Sequence, residues 1–488
     1  MNSGARQGHR SRLALACAGV LAPLVVASHA SAQDLDNAPI PSHPVRMFID
    51  SGTHRASGGE LQPVWSTIVQ EPGAEWLRLN FAIADLAFDR RTGQGSLLRV
   101  TSLEDGATQT LDARTVRQWR NTSAYFNGDA VSVELLTGPA SGASRVVIDE
   151  VTAGDPPVNA DSICGDTDDR LPSDDARAAR ALPSGCTAWI IDDPAHCFLS
   201  AGHCVTLGGI SVVEFNVPMS ASNGAIRHPP PEDQYSVDLT SMQDRWTTIG
   251  DDWAYFGTYE NSETGLYAWQ VQQDWFTLAD PPAVSGQDIR ITGYGTTSFP
   301  IDPQWNQIQK THAGPYHARL GTRLEYRADT TGGNSGSPVI NDDTGEAIGV
   351  HTNAGCTRSG GANSGTGLNN TGVQAALDNP RSVCAQMVLE VDALFAGLSA
   401  TMRTPNGTPG ETVYFIYSLT GEGSTFVPSL NVTLDLDRPR LGGSAVADAS
   451  GLAELTSDPL PSGSALTVVW IQAAEFGRVS NVVLSQIN

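Results

Sequence analysis

Six of the seven cysteines lie between Cys164 and Cys384, and this constrains the chain more than any other feature. Cys17 stands apart near the N-terminus. Cys164, Cys186, Cys197, Cys204, Cys356 and Cys384 form an even set confined to the middle. An even set behind an export signal implies a disulfide framework, because the cytosol keeps thiols reduced. Fifteen pairings are open to six cysteines, and the sequence does not choose among them all. The stapled part is one domain of several, since 488 residues exceed what one core holds and domains usually run to ~100–200 residues. The Cys-x-x-Cys and His-Glu-x-x-His spacings typical of zinc are missing, so neither a metal nor another cofactor is expected.

The export signal is readable at the start. Arg6, Arg10 and Arg12 precede an apolar stretch from Leu13 to Ser28, broken by Pro23, and Ala30-Ser31-Ala32 is a small-residue cleavage motif. Residues 1–32 therefore read as a signal peptide cut before Gln33. About 16 apolar residues are short for a membrane span, and almost nothing apolar precedes Cys17, which argues against a lipid anchor there. No membrane insertion is expected, and the destination is extracellular, periplasmic or the cell surface. Losing three Arg leaves 26 basic against 53 acidic residues, a net charge of −27. Such a chain repels polyanions, so nucleic acid is not an expected partner.

Composition favours β-structure. Gly (49) and Pro (29) are plentiful, and long helical periodicity is scarce. In residues 33–154, Leu77, Leu79 and Phe81 alternate with polar residues. Leu97–Val100, Ala130–Leu136 and Arg145–Val151 also read as strands, with turns expected at 91–95 and 126–129. These imply a β-sandwich, and the stretches from Gly95 and from Asn121 to Asp129 weakly resemble CUB-like domains. Pro156-Pro157 marks a boundary, and residues 155–385 carry all the candidate chemistry. In residues 386–488, Leu430, Val432, Leu434 and Leu436 alternate strictly with polar neighbours. Val413–Tyr417, Ala465–Gln472 and Asn481–Ile487 add strands, and the length suits an immunoglobulin-like sandwich. The flanking sandwiches are candidates for binding matrix or another protein, with a spacer or stabilising role as the competing reading.

Two segments in the middle domain supply parts of a nucleophilic site. Leu199-Ser200-Ala201-Gly202-His203-Cys204 presents an imidazole behind small residues. Thr331-Gly332-Gly333-Asn334-Ser335-Gly336-Ser337-Pro338-Val339 presents a hydroxyl on a glycine-rich turn. A carboxylate is needed to orient the imidazole, and Asp251-Asp252-Trp253-Ala254-Tyr255-Phe256 offers one. Together these segments resemble trypsin-like serine proteases in residue pattern and in chain order. The resemblance implies an all-β, chymotrypsin-like double β-barrel, with His203, Asp252 and Ser335 as triad and Asp251 as a solvated neighbour. It further implies an oxyanion hole from the Gly333 and Ser335 amides, a Cys186–Cys204 disulfide, and a protein or peptide substrate. His196 lacks the surrounding pattern and reads as an ordinary loop histidine.

Asn334 departs from the family, which usually has Asp before the nucleophile to receive a new N-terminal amine after zymogen cleavage. Asn there, the 330–339 segment, Ile348-Gly349-Val350-His351-Thr352-Asn353 and the Ile163–Arg170 start all resemble bacterial glutamyl endopeptidases. That branch implies cleavage after Glu or Asp, with Thr330 and His351 in the pocket, and processing between about Asp155 and Cys164. Asp329 carries the opposite implication. It lies six residues before Ser335, the spacing of the pocket Asp in trypsin, so cleavage after Lys or Arg is the alternative. A serine esterase, or an inactive protease scaffold serving as a binding or adhesion protein, are the readings from other classes. All three triad positions are filled, which favours an enzyme.

Overall fold

The computed structural model describes Met1 and residues 40–55, 60–89, 94–138, 142–156 and 161–488. The signal-peptide reading, most of the turn at 91–95 and much of the linker before Cys164 lie outside the described residues. No helix among them is long and apolar enough to cross a membrane.

The middle domain is two closed six-stranded barrels. The first runs Ala178–Pro183, Cys186–Ile190, Phe198–Ser200, Asp251–Thr258, Gln234–Thr248, Ile210–Glu214 and back to Ala178–Pro183. The second runs Lys310–Leu320, Asp288–Gly293, Pro338–Asn341, Ala347–Asn353, Asn363–Gly367 and Arg323–Tyr326, which pairs again with Lys310–Leu320. Period two explains the inward faces: Ile289 and Ile291 point into the second core with Leu324, Tyr326 and Val339. The first core holds Trp189, Phe198, Tyr235 and Phe256, with the Phe198 and Phe256 rings stacked at 5.7 Å. All three disulfides lie in this domain: Cys164–Cys356, Cys186–Cys204 and Cys197–Cys384. The second is the pairing implied by the family resemblance.

In the N-terminal domain two antiparallel sheets face one core. Leu77, Leu79 and Phe81 come from one, and Val131, Val133 and Leu135 from the other. The turn expected at 126–129 is shorter than its polar residues suggest. Phe126–Asn127 pairs as a strand with Trp76–Leu77, leaving the reversal to Gly128. In the C-terminal domain a five-stranded sheet centred on Thr412–Ser418 and Val468–Glu475 is covered on both faces. Phe415 and Ala473 pack with a three-stranded sheet, and Ile416 and Ala474 with the Glu422–Val427/Val432–Leu436 hairpin. Val432–Leu436 alternates buried and exposed, as its sequence predicts.

Candidate active site

His203 follows the strand Phe198–Ser200 and is held from both ends of its backbone and ring. Its Nδ1 lies 2.6 Å from Asp252 Oδ2, and its main-chain N–H donates to Asp252 Oδ1 at 3.0 Å. Both side chains are buried. The close packing requires Gly202, because a Cβ there would sit 2.2 Å from the Arg245 carbonyl oxygen. Strand alternation separates the two aspartates. Asp252 turns inward, with its N–H donating to Thr366 Oγ1, while Asp251 pairs with Arg245 and accepts from Asn370.

Ser335 lies on the turn between Thr330–Thr331 and Pro338–Asn341. Its carbonyl accepts from Thr187 N–H, the Gly336 N–H donates to the His351 carbonyl, and the Gly336 carbonyl accepts from Trp189 Nε1–H. A Cβ at Gly336 would come 2.4 Å from Ser200 Oγ and 3.2 Å from Ala201 N. The Ser335 turn thus abuts the segment leading into His203, and two motifs over 130 residues apart in sequence meet.

The Gly333 side of the turn has a traceable support. The Gly332 carbonyl accepts from Thr296 N–H at 2.8 Å. In a trans peptide the C=O and the following N–H point oppositely, so the Gly333 N–H faces away from Thr296. Gly333 has φ +95°, and a Cβ there would meet the Tyr294 carbonyl oxygen at 2.4 Å, so only glycine fits. The Thr296 carbonyl is itself held by Arg170 Nη2–H at 2.9 Å and by Thr331 Oγ1–H.

Arg170 was not singled out by sequence, yet it organises this corner. The guanidinium is almost wholly buried and pairs with Asp168. It also donates to Thr331 Oγ1 at 2.6 Å and to Asn334 Oδ1 at 3.2 Å. Asn334, which cannot pair with an amine as Asp would, is thereby tied to a cation already in the chain. Only its bonding pattern, brought together across 164 residues, reveals the role. Arg170→Met is expected to lower kcat by about 10²–10³-fold with KM little changed, the scale of losing one oxyanion donor. Steady-state kinetics on one peptide substrate measures the split; an unchanged kcat would show the turn holds itself.

The pocket candidates divide. His351 is fully buried, with Nδ1 2.6 Å from Tyr326 Oη. Burial, aided by the nearby His203, pushes its pKa down to about 3, and the Tyr326 phenol is held well above its ordinary range by burial. Donation from the Tyr326 phenol to Nδ1 would place the ring proton on Nε2, and that atom is buried without a hydrogen-bond partner among the described residues. Thr330 Oγ1 accepts from Asn363 Nδ2 at 3.0 Å. Asp329 spends both carboxylate oxygens on the chain itself: Oδ1 accepts from Cys164 N–H at 2.7 Å and Oδ2 from Asp169 N–H at 2.8 Å. Its own N–H donates to His312 Nδ1. Trp246, also not singled out by sequence, stays 41% exposed with its ring 6.1 Å from that of His203. His196 lies against Trp269 and Trp275, in keeping with a loop histidine. The cluster Cys186, His203 and Cys204 has metal-like proximity, but both sulfurs are consumed by their disulfide.

The double barrel, with the Ser335 turn packed against the histidine segment, has the chymotrypsin-type fold. Residues 186–350 match the family model described as a trypsin-like peptidase domain, and that segment is accordingly a trypsin-like peptidase domain. Similar solved structures include a Glu endopeptidase in complex with MPD, 19% identical over 43% of this chain and 96% of that one, TM-score 0.34. A thermostable serine protease, AL20, from an extremophilic microorganism is 18% identical over 42% and 97%, TM-score 0.33. The VesB protease of Vibrio cholerae is 13% identical over 66% and 99%, TM-score 0.31. No curated protein sequence matches the chain.

Proposed function

We propose that the chain is a secreted serine endopeptidase that cleaves after Glu or Asp through an acyl-enzyme at Ser335. The observation carrying the chemistry is the buried 2.6 Å contact of His203 with Asp252 beside the Ser335 turn. In the proposed cycle Ser335 Oγ attacks the scissile carbonyl while its proton passes to His203 Nε2. Asp252 keeps the other ring proton on Nδ1, and the Gly333 and Ser335 amides receive the oxyanion. The tetrahedral intermediate collapses as His203 gives its proton to the leaving amine. Water, deprotonated by the same ring, then releases the acid and restores Ser335.

The preference for an acidic residue is supported by the unpaired Nε2 of His351. A buried substrate carboxylate needs donors, and a neutral imidazole with its proton on Nε2 supplies one. Thr330, on the strand leading to the nucleophile turn, is its companion. The competing preference for Lys or Arg needs a carboxylate that faces the pocket, and Asp329 is buried with its oxygens turned to the Cys164 and Asp169 N–H groups. Secretion is supported by the signal-like N-terminus and three disulfides.

A peptide library tests the specificity. Cuts are expected after Glu, then Asp, and His351→Leu is expected to raise KM for Glu substrates about tenfold or more, the scale of a lost hydrogen bond to a charged group. Asp329→Asn should leave the preference unchanged. Lys or Arg before every cut would defeat the acidic preference while leaving the serine mechanism intact.

A further inference from the structure

We propose that the N-terminal sandwich is a permanent subunit of the peptidase, not a pro-segment that departs. Cutting the linker between Pro156 and Cys164 would then yield a two-chain enzyme held together without covalent bonds. This inference is independent of the substrate preference.

The contact surface is built like an interior. Two side-chain amides each pair reciprocally with a backbone across the domain boundary. Gln234 accepts from Tyr125 N–H at 2.9 Å and donates to the Tyr125 carbonyl at 2.9 Å. Asn127 accepts from His228 N–H at 2.8 Å and donates to the His228 carbonyl at 2.9 Å. Such double pairing fixes position and orientation together, as a strand pair does.

Between these two pairs lies a charge cluster of the first barrel. Glu214 accepts from Arg180 at 2.7 Å and is 2.7 Å from His228 Nδ1, and none of the three side chains is exposed. The sandwich supplies its lid. Tyr125 stacks on His228 at 4.7 Å, Trp76 meets the same ring edge-on at 5.2 Å, and Arg78 lies over Tyr125 and donates to Ser211 Oγ. Barrel residues Leu182, Val212 and Ile226 belong to the same apolar core as Leu77 and Phe126. Departure of the sandwich would expose this apolar surface and put the charge cluster at a solvent boundary, where its buried hydrogen bonds compete with water.

A second anchor lies at the other end. Glu260 pairs with Arg114 and accepts from Gln118, and Glu263 accepts from Thr110 N–H. The Arg114 guanidinium also lies 3.7 Å over the Phe476 ring of the C-terminal domain, so one sandwich residue touches both other domains. Among the described residues, the hydrogen-bond partners of His203 and Asp252 lie in the peptidase domain. The sandwich therefore braces the barrel without bonding to those two residues. Every disulfide falls between Cys164 and Cys384, which leaves the association non-covalent after a cut.

Acid should loosen the pair. Burial depresses the pKa of His228, and Arg180 and Arg78 press it the same way, while Glu214 opposes. A His whose folded pKa is depressed stabilises the docked state above its free value near 6.5, and loses that contribution as pH falls. Burial raises the pKa of the Glu214 carboxylate, but His228 and Arg180 lower it overall, and both belong to the peptidase domain, so that shift persists when the sandwich leaves. Tyr125, the remaining titratable group facing His228, is raised by burial and stays neutral throughout this range.

The test is a specific protease site inserted into the linker of the full-length chain, followed by cutting and size-exclusion chromatography at neutral pH. The two pieces are expected to co-elute, to separate on a denaturing gel without reductant, and to keep activity within about twofold of the uncut chain. Lowering the pH below the free histidine value near 6.5 should progressively increase release of the smaller piece. Separate elution at neutral pH, with the larger piece folded and fully active, overturns the proposal. So does precipitation on cutting, because a docked pair does not depend on one peptide link. The same cut in Asn127→Ala should give measurable dissociation at neutral pH; unchanged co-elution of Asn127→Ala together with Gln234→Ala would overturn the assignment of the amide pairs.

Discussion

Ser335→Ala is expected to reduce kcat by about 10⁶-fold while leaving the protein folded. The size of the loss follows from the role: the variant has no nucleophile, so no acyl-enzyme forms, and only binding and oxyanion contacts remain to favour attack by water. The preserved fold follows from the contacts. The main chain at Ser335 is fixed by its carbonyl accepting from Thr187 N–H, and the next residue by bonds to His351 and Trp189. None of these passes through the hydroxyl, and Ala keeps the Cβ. A melting temperature within a few degrees of the parent, with loss of fluorophosphonate labelling, is the expected pair of results. Near-parental hydrolysis by a folded Ser335→Ala protein would place the nucleophile elsewhere. Labelling at Ser335 in the parent also separates an enzyme from a binding protein on the same scaffold.

What could be read from the sequence was what the local backbone demands. Small residues before His203 and glycines around Ser335 are needed because close neighbours leave no room for a Cβ: the Arg245 carbonyl at Gly202, the Tyr294 carbonyl at Gly333, and Ser200 of the histidine segment at Gly336. Alternation identified Val432–Leu436 and the inward face of Trp76–Asp85 for the same reason, since a strand exposes its period directly. What stayed hidden depends on groups distant in sequence. Nothing adjacent to Arg170 marks it as the support of Asn334 and Thr296. Nothing adjacent to Asp329 says that its oxygens face Cys164 and Asp169 and not a substrate cation. The pairings Cys164–Cys356 and Cys197–Cys384, separated by 192 and 187 residues, are likewise set by the closing of the domain. The sandwich interface was illegible because Asn127 and Gln234 look like ordinary polar residues until the backbones they pair with are in place.

The sharpest discrimination between neighbours is Asp252→Asn against Asp251→Asn. The first is expected to lower kcat by about 10⁴-fold, the second by a few-fold at most. The reason is the orientation imposed on residue 252. Its Oδ1 accepts from the His203 main-chain N–H, a donor that cannot reverse. An Asn there must therefore keep its carbonyl oxygen on that N–H and turn its NH₂ toward Nδ1, where Asp252 now presents Oδ2 at 2.6 Å. An NH₂ facing Nδ1 forces that nitrogen to accept, and the ring proton moves to Nε2. In that tautomer the ring cannot take the proton of Ser335, although every heavy atom stays in place. Asp251 has no such role: its partners are the half-exposed Arg245, Thr247 and Asn370, and Asn can satisfy most of them. The kcat loss in Asp252→Asn should shrink as pH rises toward the range where hydroxide can serve as base, while Asp251→Asn keeps the parental profile. Equal losses in the two variants would mean that neither carboxylate orients the ring.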